Sequence, residues 1–146
     1  MYRRKEVEQI TGIPARRIQF YSDSGLLHLV EASPGRGRER KYSRDNVLEF
    51  LIIKELSKYR IELSEIKRIM IELPGELWPD FFSLDSVCKP HSARFITIFD
   101  DQRVSYGSVN RQYGTVFKKV DGSLDEDYSS VLVINVSKLA DQIRDL

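Results

Sequence analysis

Thr11-Gly12-Ile13-Pro14, Arg16-Arg17-Ile18-Gln19-Phe20-Tyr21 and Gly25-Leu26-Leu27, followed by Gly35-Arg36-Gly37-Arg38-Glu39-Arg40-Lys41-Tyr42-Ser43, form the stretch that decides the fold. Upstream of it, Val7 and Ile10 mark one apolar face of a short helix, and Gly12 stands where a helix ends through a left-handed residue. Pro14 suits the first turn of a second helix. In that helix Ile18 and Tyr21 face inward, with Phe20 a third candidate for the same face, while Arg16, Arg17 and Gln19 point outward. Gly25 closes it. Two short helices joined by so tight a turn are a helix-turn-helix, whose second helix offers its early residues to base edges in the major groove. Arg16, Arg17 and Gln19 are the natural readers.

From Leu27 to Tyr42, Pro34, Gly35 and Gly37 with arginines at alternate positions predict a flexible hairpin, a basic wing. Ser43 offers a side-chain acceptor to the amides of a third helix, Asp45 suits its positive end, and the apolar run through Val47, Leu48, Phe50 to Ile53, Leu56 and Tyr59 requires that helix to be largely buried. A fourth helix is expected to start at Ser64, to carry Ile66, Ile69, Met70 and Leu73 inward, and to stop at Pro74-Gly75. Residues 74–92 then read as an irregular aromatic linker. Strand-like runs follow at Arg94 to Phe99, Arg103 to Gly107, Thr115 to Val120 and Val131 to Val136. A last helix, capped by Ser137, would cover a sheet face with Leu139, Ile143 and Leu146. The predicted class is α+β: an N-terminal winged helix-turn-helix domain over 1–73, the linker over 74–92, and a small, mainly antiparallel sheet with a C-terminal helix over 93–146, serving dimerisation or sensing.

With 146 residues, 41% hydrophobic and 31% charged, the chain has enough apolar side chains for one or two packed cores. No apolar stretch approaches the roughly 18 residues of a membrane span, and Met1-Tyr2-Arg3-Arg4-Lys5-Glu6 leads into no signal-peptide core, so a cytoplasmic protein without a membrane partner is expected. The net charge of +1 hides an asymmetry. Up to Leu73 there are 15 Lys and Arg against 11 Asp and Glu, a net of +4, leaving 8 against 11, a net of −3, for the remainder. The first half therefore suits a polyanion.

Other chemistry is weakly signalled. The single Cys88 excludes an internal disulfide and a thiolate metal cage, and its nearness to His91 comes with no third ligand. Asp125-Glu126-Asp127 lacks the ordered spacing of a calcium loop and reads as a solvated turn. The aromatic set Trp78, Phe81, Phe82, Phe95, Phe99, Tyr106 and Phe117 reads as core rather than as a ligand pocket. No catalytic triad, metal set, phosphate loop or carboxylate pair is visible, so neither an enzyme nor a cofactor is expected.

Residues from Tyr2 to Leu73 resemble the MerR family of winged helix-turn-helix transcription regulators. Thr11-Gly12-Ile13, Arg17-Ile18-Gln19-Phe20-Tyr21 and Gly25-Leu26-Leu27 look like its recognition region, Arg40-Lys41-Tyr42-Ser43 like its wing end, and Leu63-Ser64-Glu65-Ile66 like the start of its fourth helix. The resemblance implies a homodimer on a pseudo-palindromic element of double-stranded DNA. It places Arg16 and Arg17 near bases, Gln19 and Tyr21 on bases or phosphates, and Arg36, Arg38, Arg40 and Lys41, with the adjoining Tyr42, on backbone. Tyr21 keeps a second reading as core with its hydroxyl at the edge. Three positions depart from the family pattern: Gln19 stands for its usual arginine, Pro14 for a capping serine, and Glu8 for an alanine. Pro74-Gly75 interrupts the long helix through which members usually pair. The expected function is sequence-specific transcription regulation, with an effector left unspecified. The alternative is an architectural, excisionase-like DNA-bending factor, and an enzyme of small molecules in the C-terminal part ranks last.

Overall fold

Ser43 opens the helix around which the rest is arranged. In the computed structural model, which describes residues 1–29, 38–89, 92–100, 102–110 and 130–146, the Ser43 side chain accepts from the Asn46 amide at 3.1 Å while Asn46 Oδ1 accepts from the Ser43 amide at 3.1 Å. This reciprocal cap satisfies two amides that helix geometry leaves unpaired. The helix it starts, Arg44–Lys58, is preceded by a two-residue strand β1 (Tyr2–Arg3), helices α1 (Arg4–Thr11) and α2 (Ala15–Asp23), and strand β2 (Lys41–Tyr42); it is α3. Strands β1 and β2 pair antiparallel, Tyr2 opposite Tyr42 and Arg3 opposite Lys41, so the end of the wing segment is fastened to the chain's start. The wing loop itself, residues 30–37, lies outside the described residues.

The turn chemistry read from the glycines is present. Gly12 has φ +68° and its amide bonds Glu8 O at 2.8 Å, ending α1. Gly25 has φ +69°; its amide bonds Ser22 O at 3.4 Å and the Leu26 amide bonds Tyr21 O at 3.2 Å, the paired closure of a Schellman end. Pro14 stands at the N-cap of α2, one residue ahead of the expected first turn. Phe20 corrects the inward reading: it is 50% exposed, whereas Ile18 and Tyr21 are buried.

Helix α3 is largely buried, Val47, Leu48, Phe50, Leu51, Ile52, Ile53 and Leu56 all lying in one core, while Lys54 and Lys58 are exposed and Tyr59, expected to extend the buried run, is the C-cap and faces out. It touches α1 and β2 of the first half, and also α5 (Trp78–Phe82), α6 (Leu84–Val87), the strand β5 (Val131–Asn135) and the helix α7 (Val136–Ala140) of the second. The segment 74–92, expected to be irregular, thus contains a 3-10 turn (Gly75–Leu77) followed by α5 and α6. Pro79 does not prevent this because it sits in the first turn of α5, where its missing amide breaks no helical bond. Asp45 Oδ1 accepts from the Leu84 amide at 2.8 Å, tying the start of α6 to the start of α3.

Helix α4 (Leu63–Lys67) begins before Ser64, with Glu62 at its N-cap, and runs into a π turn over Arg68–Glu72. There the Leu73 amide bonds Arg68 O at 2.9 Å rather than Ile69 O, and Pro74 has no amide to offer. The Ile69 carbonyl left over takes the Tyr106 hydroxyl instead. Tyr106 belongs to a three-stranded antiparallel sheet ordered β4-β3-β5, with β3 at Ser92–Phe99 and β4 at Val104–Asn110. Ile96, with Tyr106 and Ile134 opposite it, packs into the common core. The strand expected at Thr115 to Val120 lies outside the described residues. Helix α7 is capped by Asn135, whose side chain accepts from the Lys138 amide at 2.9 Å; Ser137 instead accepts from the Arg94 amide at 2.8 Å and donates to Val87 O at 3.2 Å. Its buried face is Val136 and Ala140, continued by Ile143 in the following 3-10 turn, and Leu146 is exposed.

Burial holds the Tyr106 hydroxyl protonated well above the usual phenol range, so it remains a donor to Ile69 O across the working pH range. Tyr106→Phe is expected to lower stability by about 1 kcal/mol, read as a fall in the urea midpoint at unchanged slope; an unchanged midpoint would show that this bond does not fasten the sheet to α4.

Candidate nucleic-acid interface

Successive residues of a helix advance by about 100°, so Arg16 and Phe20 lie one above the other on α2, with Gln19 and Asp23 beside them and Arg17 on the flank. Arg16 and Arg17 are exposed, and among the described residues neither side chain has an intramolecular hydrogen-bond partner. Gln19 is engaged: its Nε2 donates to Asp23 Oδ2 at 2.7 Å, and its Oε1 accepts from Arg4 Nη1 at 3.3 Å. Asp23 Oδ1 in turn accepts from Arg40 Nη1 at 2.9 Å. A chain of polar contacts therefore runs from α1 through α2 to the end of the wing segment. The Gln19 amide, then Arg40, hold the exposed Asp23 carboxyl below the ordinary carboxylate range.

The departures at Pro14 and Glu8 explain each other. Pro14 has no side-chain acceptor for the first amides of α2, and Glu8, one element earlier, reaches across so that its Oε1 accepts from the Ala15 amide at 3.0 Å. A carboxylate there also meets the positive end of the helix dipole. Lys54 closes the opposite terminus of the turn by donating to Thr11 O at 2.6 Å. Beside α2 lies a cleft of about 270 Å³ lined in part by Arg17, Tyr21, Lys54 and Lys58, which extends the cationic surface onto α3.

Around the wing segment, Arg38 and Lys41 are exposed, whereas Arg40, paired with Asp23, has 9% of its side chain accessible. Arg36 lies outside the described residues. Tyr42 is 0% exposed, its hydroxyl 3.0 Å from Ser22 Oγ and its ring edge-on to Phe50, and Tyr21 is 7% exposed. Both tyrosines thus sit inside and support α2 and β2 from behind. Phe20 is the outward residue that sequence reasoning misplaced, since a phenyl in an amphipathic pattern counts as core.

The wing segment is also tied from its other end. Glu49, completely buried on α3, accepts from Trp78 Nε1 at 3.1 Å and from the His28 amide at 3.1 Å through Oε1, and from Asn46 Nδ2 at 2.8 Å through Oε2; His28 Nδ1 lies 2.7 Å from Oε1. Asn46 Nδ2 also donates to His28 O at 3.0 Å. Trp78 packs against the His28 ring with centroids 4.6 Å apart. His28 lies at the start of the wing segment, so a residue of the second half helps to hold its root.

Residues 2–73 match the family described as MerR HTH family regulatory protein. The N-terminal half is a MerR-family helix-turn-helix module. It is a DNA-binding regulatory type, and the α+β arrangement of such a module with a small antiparallel sheet and a C-terminal helix is what the fold contains. No curated protein matches the chain significantly. Beyond the MerR-type module, no group of three or more His, Cys, Asp or Glu capable of holding a metal occurs among the described residues. Cys88 is partly buried, while His91 and residues 125–127 lie outside the described residues. Among the described residues no helix is long and apolar enough to cross a membrane.

Two outcomes test this geometry. Glu8→Ala leaves the Ala15 amide without its acceptor and is expected to destabilise the protein by about 1 kcal/mol, with Glu8→Gln retaining part of that; equal stability of Glu8→Ala and the parent would contradict the cap. Because Asp23 titrates lower folded than unfolded, its contribution is present above the unfolded value and is lost as pH falls through the folded one. Carboxyl NMR should place its midpoint below about 3.9 and find it raised in Gln19→Ala. A midpoint that does not move would break the link between Gln19 and Asp23.

Proposed function

We propose that the protein is a sequence-specific, DNA-binding transcription regulator that sets α2 in the major groove and the wing on the phosphate backbone. The observation that carries this is the pair of exposed, unpartnered arginines, Arg16 and Arg17, on the outward side of α2 within a MerR-type module, with Arg38 and Lys41 exposed beside it. Arginine forms bidentate contacts with guanine in the major groove, whereas flexible wing cations chiefly neutralise phosphates. Arg36, by its sequence position, belongs with the second group. Arg40 joins it through the wing while fixing Asp23, and Gln19 holds the α2 face in register with α1. Tyr21 and Tyr42 act from behind the surface.

Homodimerisation belongs to this reading because one nine-residue reading helix gives limited affinity and two half-sites multiply it. Of the apolar residues available for such a contact, Ile143 is in the core and Leu146 is exposed. Trp78 of the second half reaches the wing root by donating to Glu49 of α3 and packing on His28, which suits a module that senses an effector. A reader of chromosomal DNA works in the cytoplasm of a cell without a nucleus.

Arg16→Ala and Arg17→Ala are expected to cost about 1–3 kcal/mol each on the preferred sequence and to relax preference at one base position. Arg38→Ala and Lys41→Ala should weaken all DNA alike, each lowering the salt slope by about 0.9. Binding isotherms on specific and scrambled duplexes across a salt series check both. The reverse pattern would overturn the division of labour. Strong bending of DNA with no effect on any promoter would favour the architectural alternative.

A further inference from the structure

Phe20 stands outside the polar chain from Arg4 to Arg40 and lies exposed on the outward face of α2. We propose that it reads a thymine, its ring set against the C5-methyl group beside a guanine held by Arg16; this rests on the DNA-reading assignment above.

Three observations lead to it. Phe20 is half exposed while its apolar neighbours Ile18 and Tyr21 are buried, and the ring contact described for it is with Tyr21, centroids 6.0 Å apart. Single exposed apolar residues are common on proteins; this one stands one helical turn after Arg16, so the two side chains cover adjacent ground on the same face. The other outward residues there are committed: Gln19 to Asp23 and Arg4, and Asp23 to Arg40. Arg16 and Phe20, with Arg17 on the flank, are left free to meet the groove.

The chemistry then selects the base. A phenyl ring has neither donor nor acceptor, so it satisfies no phosphate oxygen and no hydrogen-bonding base edge. The one apolar feature a normal base pair presents in the major groove is the thymine methyl group. Arg16 supplies the complementary polar contact, two donors for guanine O6 and N7. A two-residue reader of this kind specifies neighbouring guanine and thymine positions, and Gln19, which the family resemblance puts on bases or phosphates, is not needed for either.

The test uses the full chain. A preferred site is selected from a random duplex pool, and each of its thymines is then replaced singly by deoxyuridine, which lacks only the methyl group. At one thymine, next to a guanine whose 7-deaza analogue weakens the parent but not Arg16→Ala, affinity of the parent should fall about fourfold, the weight of one methyl group. In Phe20→Ala that deoxyuridine effect should vanish, and in Phe20→Leu part of it should persist. Because the ring is exposed, both variants should keep the parent's circular dichroism and melting; if Phe20→Ala does not, Phe20→Leu carries the comparison. Selective binding in which no thymine responds, or in which Phe20→Ala responds as the parent does, overturns the assignment of Phe20 alone. A chain that selects no sequence from the pool overturns the DNA reading together with it.

Discussion

The Glu49 carboxylate lies fully inside the protein, in the middle of the helix that both halves pack against. A buried carboxylate is tolerable only when its oxygens are supplied with donors, since otherwise desolvation costs several kcal/mol, on the order of the whole stability of a small domain. Here the donors come from three places: Asn46 one turn earlier on the same helix, His28 at the root of the wing, and Trp78 from the segment after the family module. The requirement to satisfy one acid therefore fixes where the wing leaves the core and where α5 docks. The tilted contact of the Trp78 and His28 rings adds packing to the same point.

From that fixed frame the outward surface follows. Helix α3 shares one core with Val7 of α1, Ile18 of α2 and Leu26 just beyond it, and β2 is anchored by its buried Tyr42. The contacts from Arg4 through Gln19 and Asp23 to Arg40 then set three elements at fixed distances from one another. Glu8 stabilises the start of α2 in place of a local cap. A surface whose parts are held in register loses less entropy on binding than one assembled at the moment of contact.

Much of this was legible in the sequence, for local reasons. Gly12, Gly25 and Ser43 act on their immediate neighbours, so the ends of α1 and α2 and the start of α3 could be read from residue type alone. Phe20 was misread because apolar character argues for the core, and only the angular position on α2 shows it facing out. The short helices of 74–89 escaped because elements of four or five residues carry too few apolar repeats to show a period, and Pro79 read as a breaker. The cap from Glu8, the Glu49 cluster and the bond from Tyr106 to Ile69 O join residues far apart in sequence, and no spacing rule announces them. The Pro74 break was visible; that it frees a carbonyl for the sheet was not.

The central claim is that the outward face of α2 occupies the major groove. Dimethyl sulfate probing of the selected duplex addresses it directly, because the reagent attacks guanine N7 in the major groove and adenine N3 in the minor groove. The bound protein should protect guanine N7 within the recognised motif, with that protection lost in Arg16→Ala under conditions where the variant is still bound. Saturated binding that leaves every guanine N7 reactive would contradict it.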